Sequence, residues 1–168
     1  MIRYYEVLFE RMGERIFPGE YFVTQNDMVI STLLGSCVSA CVRDRTTGMI
    51  GMNHFMLSKP GGTLAIMDRG RYGFSAMDLL IDAMVHRGAN RETLEAKVFG
   101  GGVVMGDASV TDVGRSNAEF VLENLQRKGI EVLAADLRGS FARKIYFVQR
   151  DGLVHVRYVR DSAHQEAG

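Results

Sequence analysis

A cysteine and a histidine, Cys37 and His54, are the side chains of this chain best placed to carry chemistry. Cys37 follows Gly35-Ser36 at a break after an apolar run. A loop there exposes the thiol and lets backbone N–H groups face a developing oxyanion. His54 lies on the second arm of a predicted hairpin, whose arms are residues 38–43 and 49–56 around the polar loop 44–48. This pairing sets position 54 opposite about position 38, so the hairpin predicts that His54 approaches Cys37.

A Cys/His pair is suited to nucleophilic attack on an amide. An unperturbed thiol has a pKa of about 8.5 and is only a few per cent ionised at neutral pH. An imidazolium that stabilises the thiolate by about 1.5 pKa units, or about 2 kcal/mol, makes it roughly half ionised. The same ring can then protonate an amine leaving group. A third group must orient the ring, and the upstream strand offers two hydroxyls, Ser31 and Thr32. Because they point to opposite faces of a strand, only one of them can serve.

Other readings of the same residues are structural. Free cysteines are among the most buried side chains, and a lone histidine on an apolar strand is commonly a core residue. Cys41 has the same two-residue phase as Cys37 and lies between apolar neighbours, so we assign it to the core. The Gly100-Gly101-Gly102 segment lacks the Lys-Ser/Thr of a phosphate loop, which favours a turn or a close backbone approach. His86 and His164 are isolated and His155 lies in a strand pattern, so the spacing predicts no metal site. No cofactor is expected.

Composition narrows the class of protein. The chain has 168 residues, of which 46% are hydrophobic, and 20 basic residues balance 20 acidic ones. Zero net charge argues against a nucleic-acid binder. Two cysteines make no disulfide framework, and no apolar stretch has the length of a membrane span. We therefore expect a cytoplasmic protein with one domain over residues 1–168, including an N-terminal extension at 1–27 and a frayed tail at 161–168.

The elements that must position these residues are strands early and late in the chain, with two helices between them. Strand patterns cover residues 21–23, 28–34, 95–99, 130–135, 144–149 and 153–159 in addition to the hairpin arms. One helix has an apolar stripe from Ala76 to Met84 and ends near Gly88. The other has a stripe from Ala118 to Leu125 and ends near Gly129. This order favours an α/β or α+β layered sandwich.

Several segments together resemble the CheD family of chemoreceptor glutamine deamidases. They are Pro18-Gly19-Glu20-Tyr21, Leu34-Gly35-Ser36-Cys37-Val38, Gly51-Met52-Asn53-His54-Phe55-Met56-Leu57, Glu95-Ala96-Lys97-Val98-Phe99-Gly100-Gly101 and Gly114-Arg115-Ser116-Asn117. The resemblance implies a three-layer α/β sandwich with mixed or antiparallel sheets, similar to the catalytic domains of deamidating bacterial toxins. It also implies a Cys-His-hydroxyl triad of Cys37, His54 and Ser31, since the family's hydroxyl falls six residues before the cysteine. Thr32 is the alternative, and it would need a register slip to face the histidine.

The implied reaction converts glutamine side chains on the cytoplasmic helices of methyl-accepting chemoreceptors to glutamate through a thioester. Backbone N–H groups at Ser36 and Cys37 are the candidate oxyanion donors. A CheC-type phosphatase is a further implied partner, and neither nucleic acid nor membrane insertion is expected. The alternative is a non-catalytic regulatory module that docks on chemoreceptors or on such a phosphatase.

Overall fold

The computed structural model describes residues 1–56, 73–103 and 108–159. These residues form ten strands and two α-helices in the order β1(Ile2–Glu6), β2(Arg11–Arg15), β3(Tyr21–Thr24), β4(Val29–Leu34), β5(Val38–Asp44), β6(Ile50–Asn53), α1(Gly73–His86), β7(Leu94–Gly100), α2(Ala108–Arg127), β8(Glu131–Leu137), β9(Ala142–Val148) and β10(Val154–Val159). A short 3₁₀ turn at Arg91–Thr93 precedes β7. The predicted strands and helices are therefore present, and the tail predicted at 161–168 lies outside the described residues.

The strands divide into two mixed sheets of five. The first sheet has the order β1-β2-β4-β9-β10, and the second has the order β3-β6-β5-β7-β8. The β2–β4 and β7–β8 pairs are parallel, and the other neighbouring strands are antiparallel. The predicted hairpin β5–β6 is confirmed, and the predicted strands β9 and β10 also pair as an antiparallel hairpin. The predicted α+β class with two sheets and two main helices is likewise confirmed.

Side-chain alternation separates two apolar layers. On β5, Val38, Ala40 and Val42 pack with residues of both helices, while Cys41 faces the other way, toward Ile30 and Ile145 of the first sheet. The second sheet thus lies between the helices and the first sheet, which makes three layers. Cys41 is buried as predicted, and Cys37 lies at the rim of the layer between the two sheets.

The N-terminal region belongs to the sheets. Residues 1–27, expected to form an extension, contribute β1 and β2 to the first sheet and β3 to the second. The chain crosses between the sheets after Arg15, and β4 then returns to the first sheet beside β2. Because β2 ends there, the part of β4 that follows Ser31 faces the crossing segment at Phe17 and Pro18.

Candidate active site

The pairing of β5 with β6 sets the relative position of Cys37 and His54. Val38 and Phe55 exchange two backbone hydrogen bonds of 2.9 Å each, and farther along the hairpin Cys41 pairs with Met52. This register sets position 54 opposite position 39, one residue from the predicted pairing. The shift decides the face, since neighbouring side chains on a strand alternate. Continued past the ends of β5 and β6, this alternation sets His54 on the same face as Cys37, which packs against the layer between the sheets.

The imidazole of His54 is buried and tied to β4 through Thr32. The Nδ1 atom lies 2.8 Å from the Oγ1 atom of Thr32, which also donates a hydrogen bond of 2.8 Å to the carbonyl of Ile16. A hydroxyl has one proton, and the carbonyl can only accept. The Nδ1–H of His54 must therefore donate to Thr32, which leaves the lone pair on Nε2. This Nε2 has no hydrogen-bond partner among the described residues.

The expectation that Ser31 faces His54 is wrong. The Ser31 hydroxyl lies on the opposite face of β4, 2.7 Å from the hydroxyl of Tyr4. The physical reason is the phase of the strand: Ile30 and Leu34 point into the layer between the sheets, and Thr32 lies between them on the same face. That apolar alternation identifies Thr32 as the inward hydroxyl, whereas counting six residues back from the cysteine led to its neighbour.

Burial sets the protonation state of His54. Desolvation lowers its pKa from 6.5 to about 4, although the negative charge of Glu20 acts in the opposite direction. The ring is therefore neutral at neutral pH. This neutral ring differs from the imidazolium that was expected to stabilise the Cys37 thiolate. A neutral His54 can instead accept a proton during the attack itself.

Three consecutive carbonyls fix the backbone of the nucleophile turn, Gly35-Ser36-Cys37. The N–H of Gly102 donates to the first carbonyl and the N–H of Gly101 to the third, both at 2.8 Å. The side-chain Nδ2 of Asn117 donates to the middle one, also at 2.8 Å. In a trans peptide the N–H points opposite to the C=O of the same unit. The N–H groups of Ser36 and Cys37 are therefore directed away from these anchors.

The Gly100-Gly101-Gly102 segment makes the close backbone approach that the sequence predicted. Gly100 has a φ of +111°, and a Cβ there would lie 2.2 Å from the carbonyl oxygen of Cys37. On its other side the segment touches α2, where a Cβ on Gly114 would lie 2.6 Å from the carbonyl oxygen of Gly101. Strand, glycine segment and helix thus come together behind the nucleophile turn.

Comparison with known proteins identifies the family. The family model described as CheD chemotactic sensory transduction matches residues 56–158. The "Probable chemoreceptor glutamine deamidase CheD" of Janthinobacterium sp. (strain Marseille) is 49% identical over 94% of this chain and 78% of its own length. The chain belongs to the CheD family. The "Probable chemoreceptor glutamine deamidase CheD 1" of Shewanella oneidensis is 48% identical over the same shares, and this confirms the family predicted from the motifs.

Among solved structures, the Bacillus licheniformis hypothetical protein YfiH is similar to this CheD-family chain over 71% of the chain and 49% of its own. The TM-score is 0.40, and the sequences are 16% identical.

A pocket of about 400 Å³ opens beside His54 and Thr32 in this CheD-family chain. Its other lining residues are apolar side chains with two cations at the rim: Ile16, Phe17, Pro18, Leu33, Arg15 and Lys144. None of these six residues was predicted to belong to the site. Within residues 1–56, 73–103 and 108–159, no cluster of three or more His, Cys, Asp or Glu is placed to hold a metal ion. In the same ranges no helix is long and apolar enough to cross a membrane.

Asn117 is the site residue whose contact the sequence did not predict. It belongs to the Gly114–Asn117 segment that carried part of the CheD resemblance, yet no role followed from composition or spacing. The sequence did contain one indication of this contact: Gly114 and Asn117 are three positions apart, so they lie on the same face of a helix.

Proposed function

We propose that this chain is a cysteine amidohydrolase that converts glutamine side chains of chemoreceptors to glutamate and releases ammonia. The names of its CheD relatives support the substrate. The observation that carries the chemistry is the state of His54: Nδ1 is tied to Thr32, while Nε2 has no described hydrogen-bond partner on the face it shares with Cys37. This is the arrangement of an oriented base beside a nucleophile.

The proposed reaction has two halves. In the first, Nε2 of His54 takes the thiol proton while Sγ of Cys37 attacks the carboxamide carbon. The resulting imidazolium gives that proton to the nitrogen, and ammonia leaves a thioester. In the second half, His54 takes a proton from water, whose oxygen attacks the thioester. Collapse expels the Cys37 thiolate, which regains a proton, and leaves the glutamate carboxylate.

Thr32 is the proposed third member of the triad, in place of Ser31. By accepting from Nδ1–H it keeps the basic lone pair on Nε2 and fixes the plane of the ring. Its own proton is occupied by the Ile16 carbonyl, so it does not compete for the imidazole as a donor. The hydroxyl also stabilises the imidazolium formed during the attack, since it accepts from the charged ring.

The proposed oxyanion donors are the N–H groups of Ser36 and Cys37. Their peptide planes are set by the anchored carbonyls of the nucleophile turn, and the groups face away from the glycine segment. Such preorganised donors stabilise the charge that develops on the carboxamide oxygen.

The proposed setting is bacterial chemotaxis in the cytoplasm, with residues 1–168 acting as one deamidase domain. The substrates are the cytoplasmic helices of methyl-accepting receptors, where each turnover creates a methylatable glutamate. A CheC-type phosphatase is the proposed second partner. The triad geometry favours this enzyme over a module that only docks on receptors, because docking alone does not need an oriented base beside a thiol.

The decisive experiment is incubation with a receptor cytoplasmic fragment and peptide mapping by mass spectrometry. We expect glutamine-to-glutamate conversion at discrete sites with the wild type. Conversion disappears with Cys37→Ala and persists with Cys41→Ala, the matched loss of the buried thiol. Equal maps for the wild type and Cys37→Ala would refute the proposal.

A further inference from the structure

We propose that Asn117 is a positioning residue that aims the N–H of Cys37 at the oxyanion of the reaction. The inference rests on the proposed deamidase function and deepens it. Asn117 is 0% exposed, lies on α2 and donates from Nδ2 to the Ser36 carbonyl at 2.8 Å. The acceptor of that hydrogen bond and the N–H of Cys37 belong to one peptide unit.

The geometry of the peptide unit links the two groups. Because the unit is planar and trans, its C=O and N–H point in opposite directions and rotate together. A side chain that holds the Ser36 oxygen on the α2 side therefore keeps the Cys37 N–H on the opposite side. Loss of the hydrogen bond lets this plane tilt and takes the donor off the line to the oxyanion.

Asn117 holds one of the three anchored units through its side chain. The carbonyls of Gly35 and Cys37 are held by backbone N–H groups of the glycine segment, which no side-chain substitution removes. The Ser36 carbonyl receives its donor from a side chain. The backbone of α2 that carries this side chain is also held in place. Gly114, one turn earlier on α2, lies so close to Gly101 that there is no room for a Cβ. A substitution at Asn117 thus releases the middle peptide while its neighbours stay anchored.

Two reactions of the same thiol separate this role from general support of the fold. Alkylation by iodoacetamide needs an accessible thiol that His54 can deprotonate, but it develops no charge on a carbonyl oxygen. Amide hydrolysis needs the same thiol and, in addition, the oxyanion donor. A residue that aims the donor affects the second reaction and spares the first.

The test compares Asn117→Leu, which keeps the approximate shape and removes the donor, with Asn124→Leu. Asn124 is a buried asparagine two turns farther along α2, so it controls for the loss of a buried amide from this helix. For Asn117→Leu we expect kcat for receptor deamidation to fall about 100-fold with KM little changed, the range seen when an oxyanion donor is lost. The rate of Cys37 alkylation and its pH profile should stay within roughly twofold of wild type. Asn124→Leu should change neither reaction.

Each other outcome counts against the proposal. A parallel fall of alkylation and hydrolysis would mean that Asn117 only supports the site as a whole, and unchanged hydrolysis would mean that it does not aim the donor. If Asn117→Leu does not fold, Asn117→Ala is put to the same comparison. Absence of deamidation by the wild type would overturn the proposed function and this inference with it, whereas an active wild type beside an equally active variant would overturn the inference alone.

Discussion

Burial of His54 should make the stability of the folded chain depend on pH in a direction that can be tested. Its pKa is about 4 in the folded chain and has the ordinary value of 6.5 when the chain is unfolded. Between these values the unfolded chain binds a proton that the folded chain does not. The contribution of His54 to the free energy of unfolding is therefore highest above pH 6.5, where the ring is neutral in both states, and it decreases as the pH falls from 6.5 toward 4.

The size of the effect follows from the two pKa values. At pH 5 the unfolded imidazole is 1.5 pH units below its pKa, while the folded ring is still mostly neutral. At 1.36 kcal/mol per pKa unit, this contribution to the free energy of unfolding is about 2 kcal/mol lower at pH 5 than at neutral pH. The comparison is between wild type and His54→Gln, because groups that titrate in both proteins cancel in the difference. Urea unfolding at pH 7, 6 and 5, followed by circular dichroism since the chain has no tryptophan, measures it.

We expect the stability of wild type relative to His54→Gln to decrease by about 2 kcal/mol from pH 7 to pH 5. A difference that stays constant over this range would mean that the folded ring titrates like an exposed one. The desolvated, neutral base on which the proposed mechanism depends would then be refuted.

Three further predictions concern the hydroxyls of β4, the nucleophile turn and the β5–β6 loop. Thr32→Val should lower kcat for receptor deamidation by about 100-fold or more, because the His54 ring loses the acceptor that fixes its tautomer. Ser31→Ala should change kcat little. The reverse order in a mass-spectrometric rate assay would contradict the assigned register. Gly100→Ala should abolish deamidation, since its Cβ would strike the nucleophile turn, while Gly129→Ala, with a φ of +69° but nothing within 4 Å, should cost only about 1 kcal/mol in thermal unfolding and leave the rate intact. Asp44→Asn should lower the free energy of unfolding by roughly 2–4 kcal/mol. The carboxylate accepts four hydrogen bonds from the β5–β6 loop and the 3₁₀ turn, and an amide can accept only part of them. An unchanged denaturant midpoint would exclude this role.

Much of the fold could be predicted where local patterns are strong. The β5–β6 hairpin followed from two apolar arms around a polar loop, and both helix ends followed from glycines after an apolar stripe. The strands β1 and β2 gave no such signal, because they lie toward one edge of the first sheet and carry alternating charges such as Arg3 and Glu14, which form an ion pair with each other. Helix α2 begins ten residues before its predicted stripe, since its first turns are small and polar.

The sequence predicted which residues form the candidate site better than it predicted how they are arranged. Cys37 and His54 stood out by type and spacing, but the register between them was one residue off. A hairpin loop fixes register only to about a residue from sequence, and one residue reverses the face. The choice between Ser31 and Thr32 failed because the rule applied was a count along the chain, whereas the strand phase of β4 decides it. Asn117 lies far from the nucleophile turn in sequence and contacts it, at the Ser36 carbonyl, only because α2 packs there.

The place of β4 in the first sheet also governs when the site can form. This strand carries Thr32 and lies between β2 (Arg11–Arg15) and β9 (Ala142–Val148), which are more than 120 residues apart in sequence. During synthesis, the cysteine and the histidine leave the ribosome long before the strand that completes the sheet around the threonine. Because pairing across such sequence distance is late and slow, we expect the imidazole to stay unoriented in the nascent chain until β9 pairs with β4. The ability to hydrolyse an amide should therefore arise only after β9 has been synthesised and has paired with β4.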